Sequence, residues 1–192
     1  MARAAAGKGI EVDLLLNEFY YQPSQPWQVI LLRLIGSVLF CGVIGFERES
    51  QNRPAGLRTH MLVGLASCVY CLLMLDLIGR SSIYPENVRI DPVRIIEAVT
   101  SGVAFLAAGM IVFAQGKVHG LTTGAGLWLS ASVGLAVGLG LWYIAALTTL
   151  LALVIVRLMK AAETRMKPRR RLLDPESQNQ REERDRQDPG GP

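Results

Sequence analysis

Gly45-Phe46-Glu47-Arg48-Glu49 … Arg53-Pro54-Ala55-Gly56-Leu57-Arg58-Thr59-His60 decides the fold of this chain. The stretch is short and dense in charge, and it joins two apolar runs, Trp27–Phe46 and Thr59–Ile78. A helix crossing hydrocarbon needs about 20 mostly apolar residues, and each run supplies them. The reading is a helical hairpin in a membrane, with this polar loop as its tip.

Two further apolar stretches follow. Val93–Ala114 is long enough for a third span, with Arg94 and Glu97 near its start. Gly124–Met159 is too long for one, since it would extend roughly 54 Å at 1.5 Å per residue. Gly134, Gly138 and Gly140 mark the break, so two spans are expected, joined by a tight turn near Gly138–Trp142. The expected fold class is all-α, a polytopic membrane protein with five transmembrane helices. The expected domains are an outward-facing N-terminal segment over 1–26, a membrane domain over 27–159 and a basic, largely disordered cytoplasmic tail over 160–192. Ile10–Tyr21 reads either as a short interfacial helix or as a frayed terminus, and Lys160–Leu172 as an extension of the last helix. No secretory signal is read ahead of Trp27.

Charge sets the orientation. Arg157, Lys160, Arg165, Lys167, Arg169, Arg170 and Arg171 crowd the end of the last span, which by the positive-inside rule is cytoplasmic. Counting back, the 47–58 and 115–123 loops share that side and the N-terminus faces outward. Arg80, Arg89 and Arg94 oppose this assignment, but Glu86, Asp91 and Glu97 accompany them.

The chain has 192 residues and a formal net charge of +4, enough for one domain and suited to anionic lipid more than to nucleic acid. Cys41, Cys68 and Cys71 all fall in apolar runs, so no disulfide framework is expected. Cys68 and Cys71 form a C-x-x-C that reads as one helix face rather than a redox or metal motif. There is no P-loop, zinc spacing, Ser-His-Asp arrangement or haem motif, and two histidines alone make no metal site. No cofactor, metal or enzymatic activity is expected.

An internal echo links the halves. Gly56-Leu57-Arg58-Thr59 opens the second span and Gly120-Leu121-Thr122-Thr123 the fourth. Helix hairpins 1–2 and 3–4 would then form a parallel repeat. Thr59 and Thr123 are expected as N-caps. With Arg58 and His60 nearby, these helix starts are either plain caps or an anion-favouring spot.

Gly126, Ser130, Gly134 and Gly138 recur every four residues in the fourth span, and Gly102 and Gly109 mark the third. Such rows either pack helices closely or line a path, and packing is the commoner use. Arg33, Asp76, Arg94 and Glu97 are ionisable groups inside or at the edge of spans. Arg33 and Glu97 lie at matching depth, so Arg33 is expected to pair with Glu97 or Asp76. Snorkelling and a proton or cation relay are the alternatives. Asp91-Pro92 reads as an N-cap followed by a proline in the first helical position.

These residues together carry a resemblance. Arg33-Leu34-Ile35-Gly36, Gly45-Phe46-Glu47-Arg48-Glu49, Arg53-Pro54-Ala55-Gly56-Leu57-Arg58-Thr59-His60, Asp91-Pro92-Val93-Arg94, the 101–109 stretch and Gly120-Leu121-Thr122-Thr123 with Leu127-Trp128 resemble the MgtC/SapB family of bacterial inner-membrane proteins. The resemblance covers about residues 30–159. It implies five spans, a link to growth in low magnesium and, in some pathogens, to survival inside macrophages. It also implies regulation of another membrane protein, the proton-driven ATP synthase or a cation transporter, rather than magnesium pumping. Ala104 and Ala107 stand where the family usually has glycine, and Ala98, beside Glu97, where it usually has glutamine. The chain reads as a short form lacking the soluble C-terminal domain of longer members.

The favoured expectation is a non-enzymatic regulator that docks to another integral membrane protein within the bilayer, with no nucleic acid as partner. Glu47, Arg48, Arg58, Thr59, His60, Gly120, Thr122 and Thr123 form its expected functional loops. The rival is a small ion or Mg2+/H+ carrier using Arg33, Asp76 and Glu97, and self-association stays open.

Overall fold

The structure, a computed structural model, describes residues 23–81, 91–114 and 117–171. Among these, five helices follow one another: α1 Trp27–Glu49, α2 Leu57–Gly79, α3 Pro92–Gly109, α4 Leu121–Gly138 and α5 Trp142–Arg171. All five are long and apolar enough to cross a membrane. The stretch Ile10–Tyr21, the 82–90 segment and the tail beyond residue 171 lie outside the described residues.

Each helix starts where local chemistry allows. Pro26, at φ −55° and ψ 138°, leads the chain into α1, and its carbonyl accepts the Val29 N–H at 2.9 Å. Asp91 caps α3, its carboxylate accepting the Val93 N–H at 3.0 Å with Pro92 in the first helical position. Such a proline lacks only an N–H that no helical carbonyl would have taken.

The third span ends earlier than expected. The helix stops at Gly109, and the Met110 and Ile111 amides close it with bonds to the Ala107 and Ala108 carbonyls, both 3.1 Å. The residues beyond it, up to Ala114, leave the helix. Val112–Ala114 is strand β1, antiparallel to β2, Lys117–His119, with Val112 opposite His119 and Phe113 opposite Val118. A β-branched pair, Ile111-Val112, favours this extended backbone.

The α4–α5 break falls in the expected place, and its bonding explains why. Gly140 takes φ +81°, a left-handed conformation easy only for glycine. The Gly140 amide then donates to Val137 O (2.9 Å) and the Leu141 amide to Ala136 O (2.8 Å), the two bonds of a Schellman closure.

The chain divides within α5 into two compact units, residues 1–146 and 147–192. In the second unit the described backbone continues α5 as helix through Arg171. In the first, α1 runs antiparallel to α2 and α4, which run parallel to each other. Buried residues make up 67% of the α4 membrane window but only 6% of that of α3, so α4 is the axis of this unit and α3 its least covered helix.

In hydrocarbon no water is expelled between helices, so van der Waals contact decides how they pack, and small residues decide how near they come. A Cβ on Gly134 would overlap the Gly64 carbonyl, and one on Gly64 would overlap the Cys41 sulfur. A Cβ on Gly138 would lie 2.7 Å from that of Cys71. Gly36 leaves room for the Trp142 ring, which also meets Phe40 at a centroid distance of 6.5 Å. Three of the buried side chains here bond to backbone carbonyls. Ser37 donates to Leu34 O (2.8 Å), Ser67 to Val63 O (2.9 Å) and the Cys41 thiol to Ser130 O (3.4 Å). Burying them therefore costs little. All three cysteines are buried and free.

Candidate functional site

The charged residues take up partners that depth alone does not indicate. Arg33 was expected to pair with Glu97 or Asp76. Instead its Nη1 donates to the Gly138 carbonyl at 2.8 Å, and its guanidinium lies against Gly140. The C-terminal carbonyls of α4 lack helical donors and carry the negative end of the helix dipole, so a cation belongs there. Asp76 forms a salt bridge with Arg80 at 3.4 Å and accepts the Ser24 amide at 2.8 Å. Arg94 and Glu97 are exposed on α3, and Glu97 makes no ion pair among the described residues. The three groups of the expected carrier are thus not brought together.

The expected caps are also displaced. Thr59 and Thr123 are not N-caps; the capping positions are Gly56 and Gly120, and neither helix start has a cap from its own N-cap side chain. Gly56 is extended and Gly120 takes φ +89°, so each helix begins two residues before its threonine. A Cβ on Gly120 would run into the Met110 carbonyl, which ties the end of α3 to the start of α4. Thr123 is buried, Thr59 partly so, and Arg58 and Thr122 are exposed.

Glu49, which the sequence reading left out of the functional loops, supplies the missing cap of α2. Its Oε2 accepts the Leu57 amide at 2.7 Å. A carboxylate at a helix N-terminus is favoured both by the free amides and by the dipole. Neighbouring Glu47 accepts from Gln51 Nε2 at 2.9 Å. The signal for Glu49 was its place eight residues ahead of Leu57, across a loop whose Asn52 adopts φ 53°.

One cluster stands out. Arg48, near the end of α1, is only 6% exposed, and His60, in the first turn of α2, is fully buried. The close approach of α1 to α2 that encloses them depends on Gly45, where a Cβ would lie 2.8 Å from the Leu57 Cα. His60 Nδ1 lies 2.8 Å from the Gly56 carbonyl, so that nitrogen carries a proton and donates. Its Nε2, and the Nε of Arg48, are buried without any hydrogen-bond partner. Both face the same point on α4: a Cβ on Gly126 would lie 3.2 Å from His60 Nε2 and 3.7 Å from Arg48 Nε. Ser130, one turn further along α4, also has an unpartnered buried hydroxyl.

The small residues divide into two groups. Gly126, Ser130, Gly134 and Gly138 all meet α1 or α2. Gly102 and Gly109, expected in the same packing role, have nothing within 4 Å of a built Cβ. The reason is that α3 leaves this face open; beside it lies a cavity of about 430 Å³ between α2 and α3, lined by Val63, Ala66, Tyr70, Val99, Gly102 and Leu106. Among the described residues no group of three His, Cys, Asp or Glu is placed to hold a metal ion.

Comparison with known proteins agrees with this architecture. The family model described as "MgtC family" matches residues 34–165. Protein MgtC of Brucella abortus is 38% identical over 128 residues, 66% of this chain and 50% of that protein. Protein SapB of Bacillus subtilis is 37% identical over 125 residues, 64% of this chain and 50% of that protein. An Escherichia coli protein named "Putative magnesium transporter YhiD" is 37% identical over 106 residues, 55% of this chain and 48% of that protein. The chain thus spans about half the length of these relatives. No solved structure matches it.

Proposed function

The chain belongs to the MgtC family of multi-pass membrane proteins, and from that premise we propose that it is a non-enzymatic regulator that docks against another integral membrane protein. The observation that carries this reading is the open face of α3. Of its eighteen residues only Val99 is buried, and Gly102 and Gly109, seven apart and so on one face, meet nothing. Apolar exposure alone is what any lipid-facing helix shows. Glycines on an open face beside a groove are different, because they let a second helix backbone come close. The seat is suited to a transmembrane helix with small residues of its own. The family resemblance makes the proton-driven ATP synthase or a cation transporter the class of partner to seek, in adaptation to low magnesium or stress. The basic residues after Val156 support a bacterial inner-membrane location with the C-terminus and the 47–58 loop in the cytoplasm and the N-terminus outside.

The carrier reading draws on the name of the E. coli relative. Against it, Arg33 bonds to the Gly138 carbonyl and Asp76 to Arg80, and the α2–α4 seam is closed by backbone contact at Gly64 and Gly134. The test places a photo-crosslinking residue at Gly109 in native membranes, with the exposed Leu32 of α1 as control. A protein adduct of a different chain at Gly109 and none at Leu32 is expected. Adducts with lipid alone, or with a second copy alone, would overturn the docking reading. Purified protein in liposomes should move neither protons nor Mg2+; flux abolished by Glu97→Gln would establish the carrier instead.

A further inference from the structure

We propose that α3 pairs with the α3 of a second copy of this chain, along a seam in which Arg94 of each copy meets Glu97 of the other. Both side chains are exposed, and among the described residues neither makes an ion pair or a side-chain hydrogen bond. They stand three residues apart on one helix, yet they do not bridge to each other. The eighteen residues of α3 extend about 27 Å, slightly less than a hydrocarbon core of about 30 Å. Glu97, five residues past Pro92, therefore lies within the apolar layer, and its side chain is too short to snorkel out as an arginine does. An ionised group facing lipid at that depth is costly unless it is paired.

Arg94, Glu97, Ser101, Ala104 and Ala108 follow one another at intervals of 3, 4, 3 and 4 residues, the spacing of a coiled-coil seam. At about 100° per residue they fall within roughly 80° of arc, on the side of α3 opposite Val99, its one buried residue. All five are exposed. Two copies inserted with the same topology present their α3 helices parallel. A two-fold axis along the membrane normal then sets the same seam of each copy against the other. Arg94 and Glu97 differ in depth by about 4.5 Å, a step that the long arginine stem spans, so the axis creates two reciprocal pairs. A face that carries both signs is self-complementary, and a second copy supplies both missing partners at the right depth. Beyond the charges, Ser101, Ala104 and Ala108 are small enough to let the two backbones approach. Gly102 and Gly109 lie about 110° round the helix from this seam, so α3 can seat a copy of itself on one side and a different protein on the other.

The test is disulfide trapping of the full chain in native membranes. Cys41, Cys68 and Cys71 are buried, which leaves an introduced cysteine as the one placed to oxidise between copies. Ala104→Cys should give a covalent dimer on mild oxidation, and Leu106→Cys, beside the α2–α3 cavity, should not. In the Ala104→Cys background, Arg94→Glu or Glu97→Arg alone sets like charges along the seam. The expression level needed for half-maximal trapping should then rise roughly fivefold or more, as suits the loss of a polar contact between helices in a bilayer. Co-expression of the two reversed chains, each with its own tag, should restore trapping between them, since one carries two carboxylates and the other two cations. No dimer at Ala104, equal trapping at Leu106, trapping that neither reversal weakens, or reversed chains that do not trap each other would each overturn the seam. If a reversed chain does not accumulate, Arg94→Gln and Glu97→Gln decide the question: weaker trapping supports the pairs and unchanged trapping overturns them. The seam uses residues other than Gly102 and Gly109, so loss of either proposal leaves the other standing.

Discussion

Replacing Gly134 by alanine adds one methyl group at the place where α2 and α4 come closest. The new Cβ would overlap the Gly64 carbonyl oxygen and lie 2.9 Å from both the Gly64 carbonyl carbon and its Cα. Ordinary contact begins near 3.4 Å, and every atom opposed to it is backbone, so no rotamer change relieves the overlap. The helices must part by about half an ångström or more, at a cost of about 1–3 kcal/mol typical of overpacked cores. Alanine also raises helix propensity by about 0.8–1 kcal/mol over glycine, which partly offsets that cost. Gly102→Ala makes the same chemical change on α3 with nothing nearby, so it keeps the propensity gain without the overlap. The difference between the two variants isolates packing. At about 2–4 °C per kcal/mol for a chain of this size, Gly134→Ala should melt about 2–12 °C below Gly102→Ala. The assay is thermal unfolding of both purified variants in one detergent, followed by circular dichroism of the helices. If Gly134→Ala melts at or above Gly102→Ala, the backbone contact is not what holds α2 to α4.

Glu49→Ala should destabilise the chain by about 1 kcal/mol, the usual worth of an N-terminal cap, while Glu49→Gln keeps an acceptor and should lose less; equal losses in chemical denaturation would refute the bond to Leu57. Arg33→Met removes the donor to Gly138 and should cost about 1–3 kcal/mol, with Arg33→Lys recovering part of it; an unchanged denaturation midpoint in Arg33→Met would show that the α4 terminus needs no cation. Cys41, Cys68 and Cys71 are buried, so a small maleimide should leave all three unmodified in the native micelle and modify them after SDS denaturation; mass spectrometry showing rapid native labelling would contradict their packing.

The spans and their punctuation were legible in the sequence because each depends on local chemistry. Apolar length gives the helices, Asp91-Pro92 starts α3, and the glycines around Gly138 stop α4. The end of α3 was less legible, since Ile111, Val112 and Phe113 are as apolar as the helix before them and hydropathy does not register their extended backbone. Partner choice was legible least. Depth along a span does not say which helix stands beside it, so it points Arg33 to Glu97 or Asp76 although its acceptor is a backbone carbonyl, a group that leaves no mark in composition. For the same reason the small row on α4 and the glycines on α3 looked alike, while one is filled and the other open. Arg48 and His60 both stand out in the sequence as ionisable groups at the hairpin tip, yet nothing in their spacing indicates that their nitrogens both face Gly126.

The bond between Arg33 and Gly138 joins residues 105 positions apart, and this separation bears on biosynthesis. When the first span enters the membrane its guanidinium has no acceptor waiting, because the carbonyl it will grip has not yet been translated. Until the ribosome has passed Gly138, the nascent chain must keep that cation near a lipid headgroup or within the insertion machinery. Closure of the bond then reports that four spans have arrived in order. A chain released early would retain an unmatched cation in its first helix, a mark by which quality control can tell a fragment from a finished protein.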